Sequence, residues 1–203
     1  MRSPMARLSS RHGAVFVEEG GWEIPASYGD DATERAAIRD RVAIADVTAR
    51  SKVDLRGELP AAVFVPAHVI VARVSRESAL VLGGPGAEGS LMRAAEPLAG
   101  PRTMVTDATH LFAGLALTGP GLFDAIERAT SWDVGTLAPG EATGAPIAEV
   151  RAVMVRRDLV VPVLEIYVAT EFARYVWETL SGVVAGLGGE PVGWQALRAE
   201  GWR

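Results

Sequence analysis

The residue that most demands a chemical account is Glu165, a carboxylate set inside the apolar run from Val160 to Val168. A buried carboxylate is stable only when it is paired or hydrogen-bonded, so this position requires partners. From the residues alone, either strand alternation turns it outward or it pairs with an arginine such as Arg151 or Arg198. Arg198 and Glu200 lie close to the end of the sequence, where a solvated helix face is the ordinary reading of charged residues.

Other candidate chemistries fail on residue type or spacing. The chain has no cysteine, which removes thiolate nucleophiles, thiolate metal sites and disulfides. Its three histidines, His12, His68 and His110, lack the i, i+4 pairing of a helical metal site, so no metal is expected. His68, within an apolar run, reads as a hydrogen-bonded core residue. Gly83-Gly84-Pro85-Gly86 has the glycine content of an anion-binding turn, but Pro85 removes one N–H and no Gly-Lys-Ser/Thr follows. It reads as a plain turn. No G-x-S-x-G elbow supports a hydrolase.

The chain that positions these residues has 203 of them, 49% hydrophobic, with a formal charge of -5. That length buries a sizeable core in one unit, residues 1–203, or in two small lobes, 1–78 and 79–203. The acidic balance, with no basic block, argues against nucleic acid as a partner. The longest apolar stretch, Leu59 to Val74, is interrupted by Pro60, Pro66, His68 and Arg73, which argues against a membrane span. The N-terminal residues lack the apolar run of a signal peptide, and cytoplasmic residence is expected.

Residues 1–29 read as irregular, with Trp22 and Tyr28 as anchors against a core. Asp31 and Glu34 have capping-box spacing for a helix that buries Ile38 and Val42. Lys52 to Arg56 alternates as a strand, and Ala62 to Val74 reads as two short strands or one bent edge strand. Ala79 to Leu82 is a strand, Ser90 to Glu96 a helix, Leu111 to Leu117 a strand, and Leu122 to about Thr130 a helix. Leu137 to Pro146 reads as loop. Arg151 to Val155 and Leu159 to Tyr167 read as two strands joined by the tight segment Arg156-Arg157-Asp158, and Thr170 caps a helix with an apolar stripe through Val184. Adjacent strand pairs mixed with helices predict an α+β fold of split β-α-β layers.

Several blocks carry a resemblance. Trp22-Glu23-Ile24-Pro25 with Tyr28, Ala45-Asp46-Val47-Thr48, Leu115 to Pro120, Leu164-Glu165-Ile166-Tyr167-Val168 and Leu197-Arg198-Ala199-Glu200-Gly201 resemble, in order and spacing, the glycine cleavage T-protein (aminomethyltransferase) family. From Ala79 onward, through Val105-Thr106-Asp107-Ala108 and Ser131-Trp132-Asp133-Val134, the order is similar to the gamma subunit of heterotetrameric sarcosine oxidase, a truncated relative that accompanies flavin-bearing chains. The resemblance implies a T-protein-like folate-binding fold without the family's C-terminal barrel domain. It also implies tetrahydrofolate as the possible ligand, with Glu165 hydrogen-bonding the pterin and Arg198 near the glutamyl tail.

The family's aspartate-bearing hairpin has no counterpart, since Ala62 to Ser78 contains no Asp. The expectation is therefore an accessory subunit of a folate- or flavin-linked one-carbon or methylamine-metabolising complex. It would be non-catalytic and joined to a larger protein partner in a heteromer. The alternatives are a tetrahydrofolate-dependent aminomethyl- or methyltransferase acting through Asp46 or Asp107, and a stand-alone folate-binding scaffold. The accessory reading also predicts an exposed apolar patch, with Trp132, Trp194 and Trp202 as candidates.

Overall fold

The computed structural model describes residues 1–60 and 69–202. His68 and the first part of the Ala62 to Val74 stretch lie outside the described residues.

The N-terminal region is more regular than its glycine content predicts. Helix α1 (Ala6–Arg11) leads into a hairpin of β1 (Val15–Glu19) and β2 (Trp22–Ser27). The two residues between the strands, Gly20 and Gly21, have φ of 56° and 78°, the paired left-handed conformation that matches strand twist in a two-residue turn. Gly20 also lets the backbone of Pro85 and Gly86 approach, because a Cβ there would lie within 2.6 Å of three of their backbone atoms. The turn at residues 83–86 is thus packed against the hairpin.

Helix α2 (Asp31–Asp40) starts one residue earlier than the capping-box spacing predicts. Asp30 is the cap, its carboxylate accepting from the Thr33 amide at 2.9 Å. Glu34 is freed for another task. It is buried and accepts from the Tyr28 amide and the Gly193 amide, both at 2.6 Å, tying α2 to the end of β2 and to the chain before the last helix.

The strands that follow are β3 (Ala43–Asp46), β4 (Lys52–Arg56), β5 (Ile70–Ser75) and β6 (Ser78–Leu82). Helix α3 (Glu88–Ala95) precedes β7 (Met104–Asp107) and β8 (Phe112–Thr118), and α4 (Leu122–Glu127) precedes β9 (Ala142–Ile147). Strand β9 occupies a segment whose Gly and Pro content reads as loop. Its pairing with β10 (Val150–Asp158) overrides that local preference. Strand β10 runs through Arg156-Arg157-Asp158, so the turn to β11 (Pro162–Ala169) falls at residues 159–161. Helix α5 (Ala173–Gly186), β12 (Glu190–Pro191) and α6 (Trp194–Ala199) complete the chain. Thr170 begins a short 3-10 turn before α5, and no side chain caps the helix.

The order β12-β3-β8-β11-β10-β9 forms a six-stranded sheet, antiparallel except where β12 meets β3. A four-stranded sheet, β5-β6-β4-β7, draws strands from both sides of residue 78. The architecture is the expected α+β arrangement.

The six-stranded sheet is covered on both faces. On one, Leu164, Ile166 and Val168 of β11 pack with Val176, Trp177 and Leu180 of α5 and with Leu122 and Ile126 of α4. Toward the opposite face, Ile38, Trp194, Leu197 and Trp202 pack with Val163, while Tyr167 and Val155 meet Leu80 and Leu82 of the four-stranded sheet. Alternation along β11 places Glu165 with Val163 and Tyr167 on this second face. Among the described residues, no helix is long and apolar enough to cross a membrane.

Candidate functional site

Glu165 has no solvent exposure, and its partners differ from those read from the sequence. Arg50, on the segment after β3, donates from Nη2 to Oε1 at 3.2 Å, with its Nε 3.2 Å from Oε2. Arg157 of β10 donates to Oε1 at 2.6 Å. The Tyr167 hydroxyl donates to Oε2 at 2.5 Å and the Trp202 indole N–H to Oε1 at 2.9 Å. Three of these donors meet Oε1 and one meets Oε2, with the Arg50 Nε beside the second oxygen. The Arg50 guanidinium also lies 4.3 Å from the centre of the Trp202 ring, which stands edge-on to Trp194 at 4.8 Å.

The electrostatics follow from this arrangement. Burial pushes the Glu165 carboxyl up, but the charges of Arg50 and Arg157 and the donated hydrogen bonds outweigh it, so the group is held below the ordinary carboxylate range. Burial and the adjacent carboxylate raise the Tyr167 phenol well above its ordinary value, which keeps it a donor. The centre is an ionised carboxylate between two guanidiniums. Its closure rests on contacts from four residues, of which Arg50 and Trp202 are far away in the chain.

The structure does not join Arg198 to this centre. Arg198 forms a two-point ion pair with Glu19 of β1, at 2.6 and 2.8 Å, and its guanidinium lies 5.0 Å from the Trp194 ring centre. Arg151 likewise makes no contact with Glu165. Glu200, read as solvated, is only 3% exposed and accepts from Arg39 at 2.9 Å and Arg35 at 3.1 Å, clamping α6 to α2. The tryptophans read as an exposed patch are also placed differently. Trp194 and Trp202 are buried, and Trp132 packs partly against the core under α4 and α5.

A second charged group lies near the start of β4. Lys52, the only lysine in the sequence, is buried, and its ammonium donates to the carbonyls of Arg50, Thr48 and Thr109 at 2.7, 2.8 and 3.1 Å. Burial lowers it to about 7, with the attraction of Asp46 opposing the shift. Asp46 is itself buried and raised by burial, with one oxygen accepting from the Thr48 amide at 3.0 Å. Asp107 is exposed and accepts from the Thr109 amide at 3.0 Å. Both aspartates therefore shape the backbone that cradles Lys52. Among the described residues, no group of three or more His, Asp or Glu could hold a metal ion.

Some of the centre was open to sequence reasoning. Tyr167 lies two residues from Glu165, and period-two alternation alone places both on one face. Placing the hairpin turn at 159–161 would have brought Arg157 across from Val163. Arg50 and Trp202 carry no local signal.

No protein-family model matches the chain. It is 24% identical over 225 residues to an aminomethyltransferase of Desulfitobacterium hafniense (strain DSM 10664 / DCB-2), covering 95% of this chain and 60% of that protein. It is 26% identical over 209 residues to the aminomethyltransferase of Geobacillus thermodenitrificans (strain NG80-2), covering 88% and 57%. The glycine cleavage system aminomethyltransferase T of Bartonella henselae superposes with a TM-score of 0.81 over 98% of this chain and 61% of that one, at 17% identity. The fold is that of the glycine cleavage T-protein.

The resemblance carried by the sequence blocks therefore holds at the level of the three-dimensional structure. A chain of heterotetrameric sarcosine oxidase from Corynebacterium sp. U-96 shares the T-protein-like fold with a TM-score of 0.67 and 16% identity, covering 93% of this chain and 97% of that one. The chain spans about 60% of the length of the curated aminomethyltransferases it matches.

Proposed function

We propose that this chain is a T-protein-like accessory subunit that docks on a larger partner in one-carbon or methylamine-type metabolism and does not itself transfer a one-carbon unit. The observation that carries the reading is the closure of Glu165 by Arg50, Arg157, Tyr167 and Trp202. As folded, the carboxylate is buried among donors of the chain itself, which the N–H groups of a pterin would have to displace. The near-full overlap with a chain of a heterotetrameric oxidase supports a subunit role. The test is calorimetric titration of the purified chain with tetrahydrofolate. The reading expects no saturable heat from the folded protein. Saturable binding that Glu165→Gln abolishes would overturn it.

One observation favours a second reading, in which the chain holds tetrahydrofolate through Glu165. The Trp202 indole is a planar N–H heterocycle that donates to the carboxylate with its ring against Arg50. A pterin presents the same chemistry, so a ring of that kind could exchange with the indole. Trp202→Gly is the discriminating variant. If tetrahydrofolate binds it and not the parent chain, the site is a folate site closed by its own tryptophan.

A further inference from the structure

A cavity of about 200 Å³ lies between the two larger sheets, on the same face of the six-stranded sheet as Glu165 but on the other side of Tyr167. Its lining comes from strands of both sheets. Phe112 belongs to β8, Val153 and Arg151 to β10, Tyr167 and Ala169 to β11, and Arg56 to β4. Phe172, just before α5, is 45% exposed and borders the opening. The hydroxyl of Tyr167 is turned to Glu165 while its ring forms part of the cavity wall. Gly114 makes room for that ring, since a Cβ there would come within 2.8 Å of Tyr167 Cε1.

The polar groups of this cavity are sparse and of one sign. Among the described residues, the charged ones that line it are Arg56 and Arg151, and no carboxylate does. Arg151 is exposed, and its guanidinium has no hydrogen-bond or ion-pair partner among the described residues. Arg56 gives its Nε–H to Asp54 at 2.8 Å, and its side chain is 45% exposed. Ser78 adds a hydroxyl. The walls are otherwise apolar and include three aromatic rings, Phe112, Tyr167 and Phe172.

From this arrangement we infer that the cavity is a binding site for a small aromatic monocarboxylate, with the carboxylate on Arg151 and Arg56 and the ring among the three aromatic side chains. The planar fork of a guanidinium matches a carboxylate in geometry and charge. A flat apolar body gains from offset or edge-on contact with aromatic walls. Size narrows the class further. Sites for drug-sized ligands run from about 300 to 1,000 Å³, so about 200 Å³ suits one ring and excludes a fused bicycle carrying a second aromatic group. The inference is independent of whether Glu165 meets folate.

The test is titration of the full chain with 4-fluorobenzoate, followed by fluorine NMR line broadening and chemical shift, with 4-fluorobenzyl alcohol as the uncharged match. Saturable binding of the acid is expected, with at least a tenfold loss in Arg151→Gln and no saturation by the alcohol. Arg151 is exposed, so this variant is expected to fold, and its circular dichroism and melting curve verify that. Phe172→Ser, also at the surface, is expected to weaken the acid without abolishing the preference over the alcohol. Three results would overturn the inference: no saturable binding of the acid, equal binding of the alcohol, or undiminished binding in a folded Arg151→Gln.

Discussion

Replacing Glu165 by leucine removes the anion from a centre where Arg50 is 2% exposed and cannot turn to water. Taking away one partner of a buried ion pair costs about 3–5 kcal/mol, because the remaining charge stays buried and uncompensated. The Tyr167 hydroxyl and the Trp202 N–H also lose their acceptor, whereas Arg157, 16% exposed, can reach solvent and adds less. We therefore expect Glu165→Leu to lose about 4 kcal/mol, within that range. At about 2–4 °C per kcal/mol for a chain of this size, the melting temperature should fall by about 8–16 °C. Urea unfolding followed by tryptophan fluorescence reads the first quantity and a thermal melt the second.

The double variant Arg50→Met/Glu165→Leu separates an ion-pair effect from a packing effect. It replaces the pair by apolar groups of similar bulk, so it should recover about 2 kcal/mol or more relative to Glu165→Leu alone. Strict additivity of the two substitutions, or a Glu165→Leu variant within about 1 kcal/mol of the parent, would refute the reasoning. The pH dependence gives a second check. Because the folded carboxyl is held below its unfolded value, its stabilisation is complete above the unfolded value of about 4.3 and is lost as pH falls through the folded one. Glu165→Gln should flatten the acid limb of the stability profile.

Lys52 gives a slope of the same sign in a higher pH window. Its folded value of about 7 lies below the unfolded value, so the unfolded chain binds the extra proton between about 7 and 10.4, and stability should rise with pH across that window by up to about 1.4 kcal/mol per unit. Chemical denaturation of the parent and Lys52→Met between pH 7 and 10 should show the slope in the first and not in the second. Glu200→Ala should cost about 1–2 kcal/mol by releasing Arg35 and Arg39, which are exposed enough to be rehydrated, and urea midpoints will show it. Gly114→Ala should be destabilised by about 1–3 kcal/mol, because the added methyl meets Tyr167 Cε1 at 2.8 Å and the Val47 carbonyl at 3.1 Å. A melting temperature equal to that of the parent would mean that Tyr167 repacks freely.

The strand carrying Glu165, its need for partners and the α+β class could be read locally, because alternation in β11 and the apolar stripe of α5 are properties of neighbouring residues. The turn at residues 83–86 was likewise legible from Pro85 and its glycines. Local signals failed where pairing outweighed propensity, as in β9, and where a side chain had two possible uses. Glu34 has the spacing to cap its own helix, yet it holds Tyr28 and Gly193, because Asp30 already supplies the cap.

The partners of Glu165 were decided only in three dimensions. Arg50 stands 115 positions away and Trp202 stands 37, and nothing in either neighbourhood marks them as its donors. The fold brings α6, the segment after β3 and the β10–β11 hairpin to one face of the six-stranded sheet. There, burial leaves the carboxylate no water, so its oxygens must find donors within the chain. That requirement could be stated from the sequence, but the donors that meet it could be named only from the tertiary structure.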